Sequence, residues 1–178
     1  LSVHPFSPNQ EDTPELIIFD NNEDNPPFGT DRWHSDETFR AEPPLGTMLS
    51  AKIIPAYGGN TIFASMTAAY DALSDRMQNF LDDMEAVHDM VLFRKLFGEG
   101  EDGLETMRKY EEQYPNPVHP VVRIHPVTGK KALFVNPQFT IRIKNMREDE
   151  SRTLLDFLFR QAETPELQYR HQWKVDSF

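Results

Sequence analysis

Short apolar runs separated by proline- and glycine-containing loops dominate this chain of 178 residues. Runs of four to eight apolar or alternating residues bounded by turn residues predict β-strands. Two of the runs flank a turn around Gly129 and predict a hairpin. The predicted strands are Glu15–Asp20, Gly46–Ile54, Thr61–Ala64, Val121–His125, Lys131–Asn136 and Tyr169–Val175.

Three segments have the spacing or composition of helices. Ser74 is a predicted N-cap, and Met77, Phe80, Leu81 and Met84 then recur on one face of a helix that runs to His88. The charged segment Glu101–Glu112 is compatible with a surface helix, and Glu148–Ala162 predicts a helix that buries Leu154, Leu155, Leu158 and Phe159. Strands and helices in this mixed order favour an antiparallel sheet core with added helices, best described as a jelly-roll-like barrel.

Length and composition narrow the class of protein. The length suits one domain, and we read residues 1–178 as a single domain. The formal net charge of −11 disfavours nucleic acid and anionic membranes as partners, so a small molecule is expected. The absence of cysteine excludes thiolate metal sites and fits a reducing, cytoplasmic location. Because the chain begins at Leu1 without methionine and stops at Phe178 just after a predicted strand begins, we expect it to be part of a longer polypeptide.

The segment Trp33–Phe39 (WHSDETF) carries the most specific chemistry. In an extended segment, side chains two residues apart project to the same side, so His34 and Asp36 could bind one ion. Together with one further histidine they would form the facial triad of non-heme Fe(II) sites. The alternative is an ordinary surface histidine. None of the other histidines has a spacing that makes it the third ligand, and for His88 a structural hydrogen bond is favoured over ligation.

Other enzyme classes lack their motifs in this sequence. There is no His-Glu helical motif or cysteine set for a zinc hydrolase, no Gly-x-Ser-x-Gly elbow for acyl transfer, and no glycine-rich phosphate loop. The Gly58–Gly59 pair predicts a turn.

Blocks along almost the whole chain resemble the taurine/2-oxoglutarate-dependent dioxygenase (TauD/TfdA-like) family. The resemblance implies a double-stranded β-helix, the jelly-roll core of that family, which this chain would contain incompletely, truncated at both ends. The blocks are DNPP from Asp24, WHSD from Trp33, EPP from Glu42, GGNT from Gly58, AAY from Ala68, His88–Asp89, HPVVRIHPVTGKKALFVN from His119, and Phe139–Thr140 with Arg142–Ile143.

The same resemblance implies an Fe(II) site with 2-oxoglutarate and O2 as cosubstrates. His34 and Asp36 would be two metal ligands, and the hydroxyl of Thr61 would help to hold a carboxylate of 2-oxoglutarate. In the family, the second histidine ligand and an arginine that pairs with the far carboxylate lie at positions that would follow Phe178. The chain by itself is therefore expected not to turn over.

Substrate-binding positions carried over from the family are His4, Thr30, Phe97 and Phe139, with core packing an equal alternative for Phe97. Glu37 replaces an apolar residue, and an added carboxylate near the pocket would repel a sulfonate, so taurine itself is not the expected substrate. The expected activity is hydroxylation of a small sulfonate, sulfate ester or related acid, with 2-oxoglutarate converted to succinate and CO2. The alternative is a noncatalytic jelly-roll binding or assembly protein that has lost the distal ligand. The sequence does not determine the oligomeric state, and a homo-oligomer is compatible with it.

Overall fold

The computed structural model describes residues 3–4, 11–24, 26, 31–90 and 101–178. Within these ranges, short antiparallel strands and helices alternate along the chain. The strands are β1 (Thr61–Ala64), β2 (Glu85–His88), β3 (Val118–Pro120), β4 (Val122–Ile124), β5 (Lys131–Leu133), β6 (Thr140–Ile143) and β7 (Gln168–His171). The helices are α1 (Met66–Asp71), α2 (Asp75–Leu81), α3 (Glu101–Gln113) and α4 (Glu148–Phe159), followed by 3-10 turns at Arg160–Glu163 and Pro165–Leu167.

The strands form three small antiparallel sheets in the described part of the chain, and these do not close into a barrel there. Strand β1 pairs with β7, so that Thr61 lies opposite His171. Strand β2 is the centre of the sheet β3-β2-β6, with Ala86 between His119 and Ile143. Strands β4 and β5 form the predicted hairpin, which confirms that prediction.

The main core lies where helices α1, α2 and α4 pack on the sheets. Ser65 and Ser74 cap α1 and α2 by accepting hydrogen bonds from the backbone N–H groups of Ala68 and Met77, as predicted for Ser74. The buried residues of this core are Ala69, Tyr70, Leu73, Leu81, Ala86, Val121, Val122, Leu133, Val135, Ile143, Leu154, Leu155 and Leu158. A second, smaller cluster joins Phe39, Met90 and Phe139, with Tyr110 against it.

Two predicted core strands are wrong. Glu15–Asp20 shows a single bridge residue at Ile17, and Gly46–Ile54 contains no strand. Their apolar side chains are largely exposed, with Phe19 at 67% and Ile53 at 88%. An apolar run becomes a strand only when a neighbouring strand accepts its backbone hydrogen bonds, and no described strand pairs with either segment.

The predicted helix from Ser74 to His88 is also too long. Helix α2 ends at Leu81, and Glu85–His88 is strand β2, the central strand of its sheet. Met84 still packs on the main core, so its apolar spacing matched a helical face although it lies beyond the helix. Pairing with β3 and β6 therefore overrides a local helical pattern here. The last strand is shorter than predicted and ends at His171.

Candidate metal site

The side chains of His34 and Asp36 converge at the surface of the loop between Trp33 and Phe39. Nε2 of His34 lies 3.4 Å from Oδ1 of Asp36, and the two side chains are 35% and 45% exposed. The sequence predicted that these side chains would share one side, and the structure brings them together. This separation is one that a single metal ion can bridge.

Hydrogen bonds to the far atoms of both groups orient the pair. Nδ1 of His34 donates to the carbonyl oxygen of Arg32 at 2.9 Å, which assigns the Nδ1 proton and turns Nε2 toward Asp36. The hydroxyl of Thr47 donates to Oδ2 of Asp36 and leaves Oδ1 facing His34. Outer partners of this kind hold metal ligands in the tautomer and rotamer that binding requires. The donor set, an imidazole nitrogen and a carboxylate oxygen, fits Fe(II).

The two groups also shift each other's protonation. The hydrogen bond to Asp36 raises the pKa of His34, and the same hydrogen bond lowers the pKa of Asp36, in each case against the effect of burial. A divalent cation held by this pair would therefore compete with a proton for the same two atoms. Within the described ranges, no three histidine or acidic side chains come together as a metal site, so the third ligand of a facial triad is not found among them.

Thr61 begins strand β1, at the edge where β7 pairs with it. Its hydroxyl oxygen accepts a hydrogen bond from Nε1 of Trp173 at 2.9 Å. The Trp173 ring in turn packs edge-on against His171, with ring centroids 4.4 Å apart. Because the indole can only donate, the hydroxyl proton of Thr61 is left to donate to another group.

The predicted substrate residues have different surroundings. His4 lies close enough to Glu37 and Asp36 for their charges to act on it, although burial lowers its pKa overall. Phe139 is 2% exposed and packs on Phe39, with ring centroids 5.4 Å apart. Thr30 and Phe97 lie outside the described residues.

Glu37 does not present a free carboxylate. Its side chain is 10% exposed and forms an ion pair with Arg40, whose guanidinium nitrogen lies 2.6 Å from Oε2. Its backbone is in the left-handed region at φ 53°, which only glycine adopts without strain. Arg40 compensates the charge, so the repulsion of an anionic substrate expected from the sequence is weaker than a free carboxylate would cause.

Comparison with known proteins identifies the family. The family model described as "Taurine catabolism dioxygenase TauD, TfdA family" matches residues 1–178. The chain belongs to the TauD/TfdA family. Within that family it is 31% identical, over 99% of its own length and 44% of the relative's, to the alpha-ketoglutarate-dependent sulfonate dioxygenase of Saccharomyces cerevisiae.

Two further TauD/TfdA relatives show the same pattern. The alpha-ketoglutarate-dependent 2,4-dichlorophenoxyacetate dioxygenase of Cupriavidus pinatubonensis is 35% identical over 83% of this chain and 50% of that protein. The crystal structure of AAD-2 in complex with Mn(II) and N-oxalylglycine superposes with a TM-score of 0.71, at 34% identity, over 84% of this chain and 56% of that one. The predicted fold family is thereby confirmed. The chain spans about half the length of the curated relatives that it matches.

Sequence reasoning missed the residues that support the site. Thr47 and Trp173 were not singled out, because their hydrogen bonds to Asp36 and Thr61 join positions 11 and 112 residues apart, which no local sequence pattern links. The structural hydrogen bond favoured for His88 is present, since its Nδ1 lies 2.9 Å from the hydroxyl of Thr38. An open groove lined by Met77, Phe80 and Phe157 includes none of the predicted site residues.

Proposed function

We propose that the polypeptide containing this chain is an Fe(II)- and 2-oxoglutarate-dependent dioxygenase that hydroxylates a small organic substrate. The observation that carries the proposal is the His34–Asp36 pair, whose facing atoms are 3.4 Å apart and whose outer atoms are held by Arg32 and Thr47. Membership in a family whose relatives are named as alpha-ketoglutarate-dependent dioxygenases supports the same reaction class.

In this proposal, His34 and Asp36 hold the iron and Thr61 binds a carboxylate of 2-oxoglutarate. Iron with 2-oxoglutarate and O2 supplies the oxidation of a substrate C–H bond, coupled to the release of succinate and CO2. Thr61 is suited to its role because Trp173 occupies its acceptor side and leaves its proton available to an anion. The pair binds the ion with His34 deprotonated at Nε2, so metal binding displaces a proton.

The proposed substrate is a small acid, such as a sulfonate, a sulfate ester or a related carboxylate. Relatives named as sulfonate and 2,4-dichlorophenoxyacetate dioxygenases support this class. We assign substrate contacts to His4, Thr30, Phe97 and Phe139. The proximity of His4 to Glu37 and Asp36 supports its assignment. The ion pair between Glu37 and Arg40 makes an anionic substrate compatible with the neighbouring carboxylate.

A cytoplasmic location stays part of the proposal and rests on composition. The structure adds that no described helix is long and apolar enough to cross a bilayer.

Substrate-dependent succinate formation tests the proposal. The polypeptide containing residues 1–178 is incubated with Fe(II), 2-oxoglutarate, O2 and a panel of sulfonates, sulfate esters and aryloxyacetates. Asp36→Ala should abolish succinate formation, whereas Asp71→Asn, which changes an exposed carboxylate on α1, should leave it unchanged. Under anaerobic conditions, Fe(II) together with 2-oxoglutarate should give the parent polypeptide a visible charge-transfer band that Asp36→Ala lacks.

A polypeptide that forms neither the band nor succinate with any substrate would contradict the enzyme proposal. That outcome would favour the alternative, a noncatalytic binding or assembly protein on the same scaffold.

A further inference from the structure

A buried polar network lies directly behind the His34–Asp36 pair. Its centre is Thr38, which lies two residues after Asp36. Thr38 is 1% exposed. The Thr38 hydroxyl lies 2.9 Å from Nδ1 of His88 and accepts a hydrogen bond from Nδ2 of Asn136 at 3.2 Å. One hydroxyl therefore connects the turn after Asp36 to strand β2 and to the segment before β6.

A second histidine binds the backbone of the same turn. Nε2 of His119, on strand β3, donates to the carbonyl oxygens of Thr38 at 2.9 Å and Arg40 at 3.0 Å. His119 is buried, and its ring packs edge-on against His88 with centroids 5.0 Å apart. The turn is thus held both through the side chain of Thr38 and through the carbonyl groups of Thr38 and Arg40.

Thr140 and Asn136 complete the hydrogen-bond network on the side of the sheet. The Thr140 hydroxyl on β6 lies 3.3 Å from Nε2 of His88 and accepts from the backbone N–H of Asn136 at 2.9 Å. Oδ1 of Asn136 accepts from the backbone N–H groups of Gln138 and Phe139. A satisfied buried network of this kind is rigid, because breaking one member leaves another unpaired in a low-dielectric interior.

This arrangement has a consequence for Asp36. The turn from Asp36 to Phe39 includes the left-handed residue Glu37, and such a conformation persists only when its surroundings hold it. Thr38 on one side and the Phe39 ring in the second core cluster hold it here. The carboxylate of Asp36 is also held by His34 and Thr47, but its side chain is 45% exposed, so the turn that carries it contributes to its orientation.

We propose that Thr38 is a positioning residue for the metal site, which transmits the rigidity of the β3-β2-β6 sheet to Asp36 through its bonds to His88, Asn136 and His119. This inference rests on the proposed function, because it assigns Asp36 as a metal ligand. Thr38 is not one of the proposed metal ligands; it fixes the backbone from which Asp36 projects.

Co(II) titration tests the inference, because the visible absorption of Co(II) reports ligand geometry as well as affinity. The titration uses the polypeptide containing this chain, with and without 2-oxoglutarate. Thr38→Val should weaken Co(II) binding about tenfold or more, the range that loss of outer partners causes, and should alter the Co(II) spectrum. Thr38→Ser, which keeps the hydroxyl, should restore both affinity and spectrum.

Ser151→Ala is the matched control. Ser151 is also buried, at 3% exposure, and its hydroxyl accepts from a backbone N–H, that of Ile143, at 2.7 Å. Its loss should lower the free energy of unfolding without changing Co(II) affinity or spectrum. If Thr38→Val does not fold, His119→Phe replaces it, since this change keeps the ring packing and removes the two bonds to the turn.

The outcomes separate the two proposals. A parent polypeptide that binds no Co(II) at this site overturns the proposed function. A parent that binds Co(II), with Thr38→Val or His119→Phe binding as tightly and with the same spectrum, overturns the positioning role alone. Equal weakening by Ser151→Ala also overturns it, because the effect would then follow from stability in general.

Discussion

Trp173 donates its indole N–H to the hydroxyl oxygen of Thr61 across 2.9 Å, and this bond joins positions 112 residues apart. It occupies an acceptor site of the Thr61 hydroxyl, whose proton the proposed function directs to a carboxylate of 2-oxoglutarate. The bond is partly buried, so its loss would not be fully replaced by water.

Trp173→Phe should therefore raise the KM for 2-oxoglutarate about fivefold, the effect of one hydrogen bond of about 1 kcal/mol, while kcat stays near that of the parent. Steady-state succinate formation at varied 2-oxoglutarate measures both constants. Tyr169→Phe, at an exposed position of β7, is the control and should change neither constant. A lower kcat with an unchanged KM would contradict a role in cosubstrate binding.

Thr47 orients Asp36 from outside the turn, by donating to Oδ2. Thr47→Val should weaken metal binding about tenfold, at the low end of outer-partner effects because the site is exposed. Equilibrium titration with Co(II) measures the change, and Thr47→Ser should bind as the parent does. Identical affinities for the valine and serine variants would show that the hydroxyl does not orient the ligand.

His88 predicts a pH dependence of stability. Burial, with the neighbouring His119 as a smaller cause, lowers the pKa of His88 to about 3 from its usual 6.5. The unfolded chain therefore binds one more proton than the folded chain between these values. The contribution of His88 to the free energy of unfolding is fully present above pH 6.5. It falls as the pH decreases toward 3, by up to about 1.4 kcal/mol per pH unit.

Urea unfolding at several pH values between 7.5 and 5 measures this slope. His88→Gln should be less stable at pH 7.5 and should show a shallower loss on acidification. The burial of His119 lowers its pKa as well, so part of the slope remains in the variant. Parallel curves for parent and variant would contradict the assignment to His88.

Leu158 should contribute strongly to stability. It is fully buried on α4 within the main core, so Leu158→Ala removes apolar contacts and leaves a cavity. The expected loss is about 2–5 kcal/mol in the free energy of unfolding. Arg152→Ala, on the exposed side of the same helix, should cost well under 1 kcal/mol. A Leu158→Ala variant as stable as Arg152→Ala would show that this part of the core is not packed as described.

The sequence alone determined the features that depend on neighbouring residues. Period and capping predicted α2 from Ser74 and the apolar face of α4, because a helix is built from contacts three and four residues apart. Turn chemistry around Gly129 predicted the β4–β5 hairpin. The spacing of His34 and Asp36 predicted that they would face one another, because two residues of extended chain return a side chain to the same side.

Only the tertiary structure decided the rest. The apolar runs Glu15–Asp20 and Gly46–Ile54 needed strand partners that local pattern does not specify, and His88 became part of a central strand through pairing with β3 and β6. The same holds for the supports of the site, since Thr47, Thr38 and Trp173 act through hydrogen bonds to residues 11, 50 and 112 positions away in the chain. Periodicity reports the contacts that a residue makes with its neighbours in sequence. The packing of the whole chain, by contrast, determines these strand and hydrogen-bond partners.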